Sequence, residues 1–180
     1  MTASTTTSLK EITAQPEVSV RKVKYGGLGK EDLLKRLIAE NIHLNEYAMA
    51  LWKSDAFVVS PREEAAEIVE LSVQDLEFIN GAAFAEIFSR IKQLGLNLCP
   101  LEIGPYLRLS YMDQEEEMET GKNKAPKGSI TIFSKLAKAQ DEEFPKGFYI
   151  RKMDGRLWLR GYVCPMDYIW PPDARIALKL

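Results

Sequence analysis

The chain reads as an α+β protein in which an N-terminal helical layer packs on a C-terminal antiparallel sheet of four to five strands. Three observations predict this. Before about residue 95 apolar residues recur at helical spacing in three segments; beyond about residue 105 they alternate; and Asp154-Gly155 stands between two alternating runs as a two-residue hairpin turn. At 180 residues the length suits one domain, expected over 17–180 with its helical part at about 30–95 and its sheet part at about 105–180.

Residues 1–16 are rich in Thr and Ser, lack a hydrophobic period and read as a mobile tail. "EVSVRKVKY" follows as a short extended piece with Val18, Val20 and Val23 in imperfect alternation. In "GKEDLLKRLIAENI", Leu33, Leu34, Leu37 and Ile38 share a helical face, and Glu31 and Asp32 sit in the first turn, where the helix dipole favours acids. "LNEYAMALWKSD" repeats the pattern with Leu44, Tyr47, Ala48 and Leu51 behind the cap residue Asn45, so the two segments predict a helical hairpin. "SPREEAAEIVELSV" begins with Pro61 at a first helical position and then alternates, predicting a helical start that gives way to a strand near Glu67. A turn of helix at "VQDLEF" precedes a third helix, with Phe84, Ile87, Phe88 and Ile91 on one stripe and Gly95 as its left-handed stop.

Strands are expected at Tyr106–Met112, Ser129–Leu136, Phe148–Met153, Arg156–Val163 and Asp173–Leu178. The polar run "DQEEEMETGKNKAPKG" between the first two reads as a solvated loop. A type I′ turn needs positive φ at both central residues, which Asp-Gly supplies, and this sets the register of the hairpin. Arg151 then faces Trp158 and Tyr149 faces Arg160 on one side of the sheet, with Ile150 facing Leu159 on the other. If the strand at Tyr106 joins the same sheet, Tyr106 and Arg108 extend this Arg and aromatic stripe.

Charge and motif content narrow the function. A net charge of −2, from 24 Lys and Arg against 26 Asp and Glu, gives no long-range field for a phosphate backbone. No apolar run approaches the ~20 residues that span a bilayer, no signal-type apolar stretch opens the chain, and the expectation is a cytoplasmic protein without membrane association, its Cys99 and Cys164 free thiols. "YGGLGKED" is no phosphate loop, because Lys24 stands where the first glycine belongs and Glu31 where a magnesium-binding hydroxyl does. His43 is the one histidine, so no metal is expected, and the two Cys-Pro pairs are too short a signal for haem; no cofactor is expected. Glu115, Glu116, Glu117 and Glu119 lack the Asp and Gly spacing of a calcium loop.

Three readings of function remain. The first is a non-catalytic binding or regulatory protein that holds a macromolecular partner, a protein before a nucleic acid, on a face formed by Tyr149, Arg151, Trp158, Arg160, Tyr106 and Arg108. The second is a small hydrolase or transferase at the junction of helices and sheet, using Cys99, Glu102 or His43. A single-strand nucleic-acid binder using the same stripe is a third option. Oligomeric state is left open, since a sheet of this size has exposed edges.

The stretches "NLCPLEIGPYLRLSYMDQ" and "GFYIRKMDGRLWLRGYVCPMDYIWPPDAR" resemble a family of small bacterial proteins of unassigned activity, over about residues 30–180. The resemblance implies a bacterial, cytoplasmic protein and supplies no site residue.

Overall fold

Residues 7–118 and 128–180 are described by the computed structural model. Among them the strands are β1 (Ser19–Tyr25), β2 (His43–Leu44), β3 (Glu64–Ser72), β4 (Ile130–Ile132), β5 (Gly147–Met153), β6 (Arg156–Tyr162) and β7 (Arg175–Lys179). The helices are α1 (Leu9–Thr13), α2 (Lys30–Ala39), α3 (Glu46–Lys53), α4 (Phe84–Gln93) and α5 (Ile103–Ser110), with a 3-10 turn at Gln74–Leu76.

The strands form one sheet in the order β1-β3-β7-β4-β5-β6-β2, curled into a half-barrel. This corrects the antiparallel sheet of four to five strands: the sheet has seven and is mixed, because β7 runs parallel to β4 and β2 parallel to β6. The C-terminal strand β7 inserts between β3 and β4 instead of lying at an edge, so N-terminal and C-terminal chain segments share one sheet. A layer of helices lying before the sheet in sequence and on one side of it is likewise overturned.

Alternation along the strands sends side chains into two separate cores. Ile68, Ile130, Ile132, Phe148, Ile150, Leu159 and Ala177 join one core with Leu33 and Leu37 of α2, Leu51 and Trp52 of α3, and Ile103 and Leu107 of α5. Val69, Leu71, Phe133, Ile176 and Leu178 join the other with Ile12 of α1 and Phe84, Ile87 and Ile91 of α4. Helices therefore cover both faces, which is why β7 is apolar almost without interruption.

Local differences follow from recognisable physics. The expected strand over 106–112 is instead helix α5: Ile103, Tyr106 and Leu107 lie at i, i+3 and i+4, all buried, and that spacing outweighs the short alternation Tyr106-Arg108-Ser110. The helical start expected at Pro61 is absent, and β3 extends back to Glu64 because it pairs along its length with β1. Within the expected tail, Ser8 and Glu11 form a reciprocal capping box that starts α1 and buries Ile12; residues 1–6 of that tail lie outside the described residues, as does the 119–127 part of the polar loop. The caps expected at Asn45 and Gly95 are present: Asn45 Oδ1 accepts the Ala48 N–H at 2.9 Å, and Gly95 has φ +73°.

Candidate functional site

The β5–β6 hairpin has the register expected from its turn, with Arg151 opposite Trp158, Tyr149 opposite Arg160 and Ile150 opposite Leu159. Asp154 and Gly155 both have positive φ, 52° and 70°. The turn is also tied down from outside, since the Glu116 carboxylate accepts the N–H groups of Asp154 at 2.7 Å and Gly155 at 2.8 Å. Those two bonds, Gly155 first, hold the Glu116 carboxyl below its usual range; the nearby charges of Lys152 and Arg151 add to the effect.

On the face opposite α2, α3 and α5, Arg160 is the centre of the arrangement. Its Nε donates to the Tyr149 hydroxyl at 2.7 Å, and its guanidinium carbon lies 5.0 Å from the Trp158 ring centroid and 6.0 Å from that of Tyr149. Each exposed cation–ring contact of this kind is worth roughly 0.5–1 kcal/mol. His43 on β2 pairs with Trp158 and its ring lies 5.0 Å away, which extends the aromatic surface to the sheet edge. In the other direction Tyr149 meets Tyr162 at 6.4 Å, and Tyr162 meets Trp170 at 5.7 Å in the second core. Tyr149, Trp158, Arg160 and His43 are all half-buried; Arg151 is buried.

The edge beside this face is closed by a side chain. Asn45 Oδ1 accepts the Gly161 N–H at 2.8 Å while its Nδ2 donates to the Gly161 carbonyl at 3.0 Å, so one amide continues the ladder where β2 ends. The same oxygen caps α3, which fixes that helix against β6.

Two of the six expected binding residues are elsewhere. Tyr106 and Arg108 lie on α5, against the other face of the sheet. The Tyr106 hydroxyl donates to the Gly26 carbonyl at 2.9 Å, and Arg108, fully buried, donates to Gln114 and to the Tyr111 carbonyl. Gln114 in turn donates to the carbonyls of Gly128 and Ile150, so Arg108 braces the segment after α5 and does not reach the platform.

The three candidate catalytic residues do not form one site. Cys99 is buried just past the end of β4, its N–H donating to the Phe133 carbonyl at 2.8 Å and its Sγ 3.8 Å from the Ala177 carbonyl, and burial pushes its thiol up to about 12. At neutral pH it is a protonated, weak nucleophile. Glu102 is buried at the start of α5 and accepts both the N–H (2.9 Å) and the hydroxyl of Ser60, which fits the structural role of fastening the loop before β3. His43 lies against Trp158, the two rings tilted by 35°, at the opposite sheet edge. Sequence reasoning placed His43 in the wrong company because β2 is two residues long and carries no strand pattern.

Glu115 and Glu117 line a recess of about 300 Å³ with Glu70, Asp113 and Arg175, where Arg175 Nε donates to Glu70 at 2.9 Å. Among the described residues no three His, Cys, Asp or Glu groups are placed to hold a metal ion, and Glu119 lies outside them. No described helix is long and apolar enough to cross a membrane. No family model matches the chain, and neither the curated proteins nor the solved structures contain a significant match.

Proposed function

We propose that the chain is a non-catalytic binding or regulatory protein of the bacterial cytoplasm that holds a protein partner on the β5–β6 face. The observation that carries this reading is Arg160, a half-buried cation framed by two aromatic rings and matched by no carboxylate among the described residues. Drawing a charge partly out of water without a counter-charge costs stability. A partner that carries the counter-charge recovers that cost at the interface, and Arg beside Trp and Tyr is the composition of interface hot spots. The net charge of −2 favours a protein over a nucleic acid, which would ask for a basic groove along the sheet.

A hydrolase or transferase at the helix–sheet junction has less support, because the Cys99 thiol is buried and protonated and Glu102 is occupied by Ser60. The test is capture from lysate of the source cell by tagged wild type and by the Trp158→Ala, Arg160→Ala double variant, with bound protein and nucleic acid both analysed. A specific protein retained by wild type and lost by the folded double variant is the expected result. Equal capture by both rules the face out, and a nucleic acid whose retention falls steeply with salt replaces the protein partner.

A further inference from the structure

Resting on that binding reading, we infer that the corner made by Arg160 and Tyr149 is a receptor for a carboxylate of an acidic protein segment, with Trp158 as its floor. Arg160 commits Nε to the Tyr149 oxygen, and its two terminal nitrogens are neither hydrogen-bonded within the described residues nor buried without a partner, so they reach solvent. The Tyr149 hydroxyl accepts that bond, which leaves its own proton to donate, and no described acceptor takes it. Guanidinium N–H groups and a phenol O–H thus converge on one point in front of the hairpin. A planar carboxylate, an acceptor on both oxygens, takes both kinds of donor at once.

The surroundings select the charge. Lys152 points to the opposite face of the sheet, and Arg151 is buried and close enough to Glu116 to lower that carboxyl. Arg156 shares this face but stands four residues away at the turn end of β6 and is exposed, so Arg160 is the cation beside Tyr149; alone it balances one carboxylate and falls short of a phosphate dianion. The Trp158 ring under the guanidinium, with His43 at 5.0 Å beyond it, offers an apolar flank to the methylenes of a glutamate.

The test titrates the ¹⁵N-labelled full chain with four probes: a terminally blocked hexaglutamate peptide, its hexaglutamine counterpart, inorganic phosphate and a short thymidine oligonucleotide. The signals read are the Arg160 Nε–H and the Trp158 indole N–H. Hexaglutamate should shift both saturably and hexaglutamine neither, with phosphate about tenfold weaker, as expected when one guanidinium is the anchor. Arg160→Gln should abolish the response, and Arg160→Lys, which keeps charge without the planar fork, should weaken it about tenfold. The Lys variant decides the matter should the Gln variant disturb the amide pattern of β5 and β6. Tighter response to phosphate or to the oligonucleotide, a response surviving Arg160→Lys unchanged, or silence of Arg160 toward hexaglutamate overturns the inference. Silence toward hexaglutamate together with partner capture lost in the double variant removes the carboxylate receptor and leaves the binding reading standing. The converse pair of results removes the binding reading and keeps the receptor.

Discussion

At Gly161 the chain has no room for a side chain. A Cβ there would lie 2.5 Å from the Tyr47 carbonyl carbon and 2.7 Å from the Ala48 nitrogen, both backbone, so the first turn of α3 rests directly on β6. Asn45 depends on that approach, because its amide must span the gap to both backbone groups of Gly161. Gly161→Ala should therefore cost on the order of 1–3 kcal/mol, the range for forced overpacking, seen as a lower urea midpoint with an unchanged slope. A midpoint equal to wild type would mean that α3 shifts freely and that the Asn45 link is incidental. Of these residues, the capping role of Asn45 was legible in the sequence as an amide before an apolar periodic run. Its second role was not, since the partner lies 116 residues away and no local pattern records it.

Among the elements, the hairpin shows best how far local chemistry reaches. Asp154-Gly155 dictates the turn, the turn dictates the register, and the register brings Arg160 to Tyr149 and Trp158, all of it within fifteen residues of chain. What the alternation could not reveal is that Glu116 holds the turn amides from a separate segment. Its carboxyl lies below the usual range, so this link contributes above the ordinary carboxylate pKa of 4.5 and is lost as pH falls through the lower folded value. The amide proton shifts of Asp154 and Gly155 should titrate together with a midpoint below 4.5 and be flat in Glu116→Gln. A midpoint at or above 4.5 would show that the two amides do not stabilise the carboxylate. Helix α5 marks the opposite case, where a fragment of alternation only a little longer than one helical turn misled, and the buried triplet Ile103, Tyr106 and Leu107 decides.

For the whole molecule, β7 is the joint. It pairs antiparallel with β3 on one side and parallel with β4 on the other, and Ile176, Ala177 and Leu178 send fully buried side chains into both cores. Removing residues 173–180 should then abolish cooperative unfolding, because among the described residues β7 is what joins β1 and β3 to β4, β5 and β6 in the sheet. A truncated chain that keeps a sharp urea transition would show that helices alone couple the two halves. The sequence by itself determined the helical segments α2, α3 and α4, the hairpin with its register, and with that register the shared face of Tyr149, Arg151, Trp158 and Arg160. Each is written in contacts a few residues apart, through side-chain period, caps and the positive φ of a turn. Only the tertiary structure decided that the sheet is mixed and seven-stranded, that Tyr106 and Arg108 belong to a helix on the far face, and that His43 completes the platform. Strand order and direction depend on which distant segments bury one another's apolar faces, a choice that no local pattern carries.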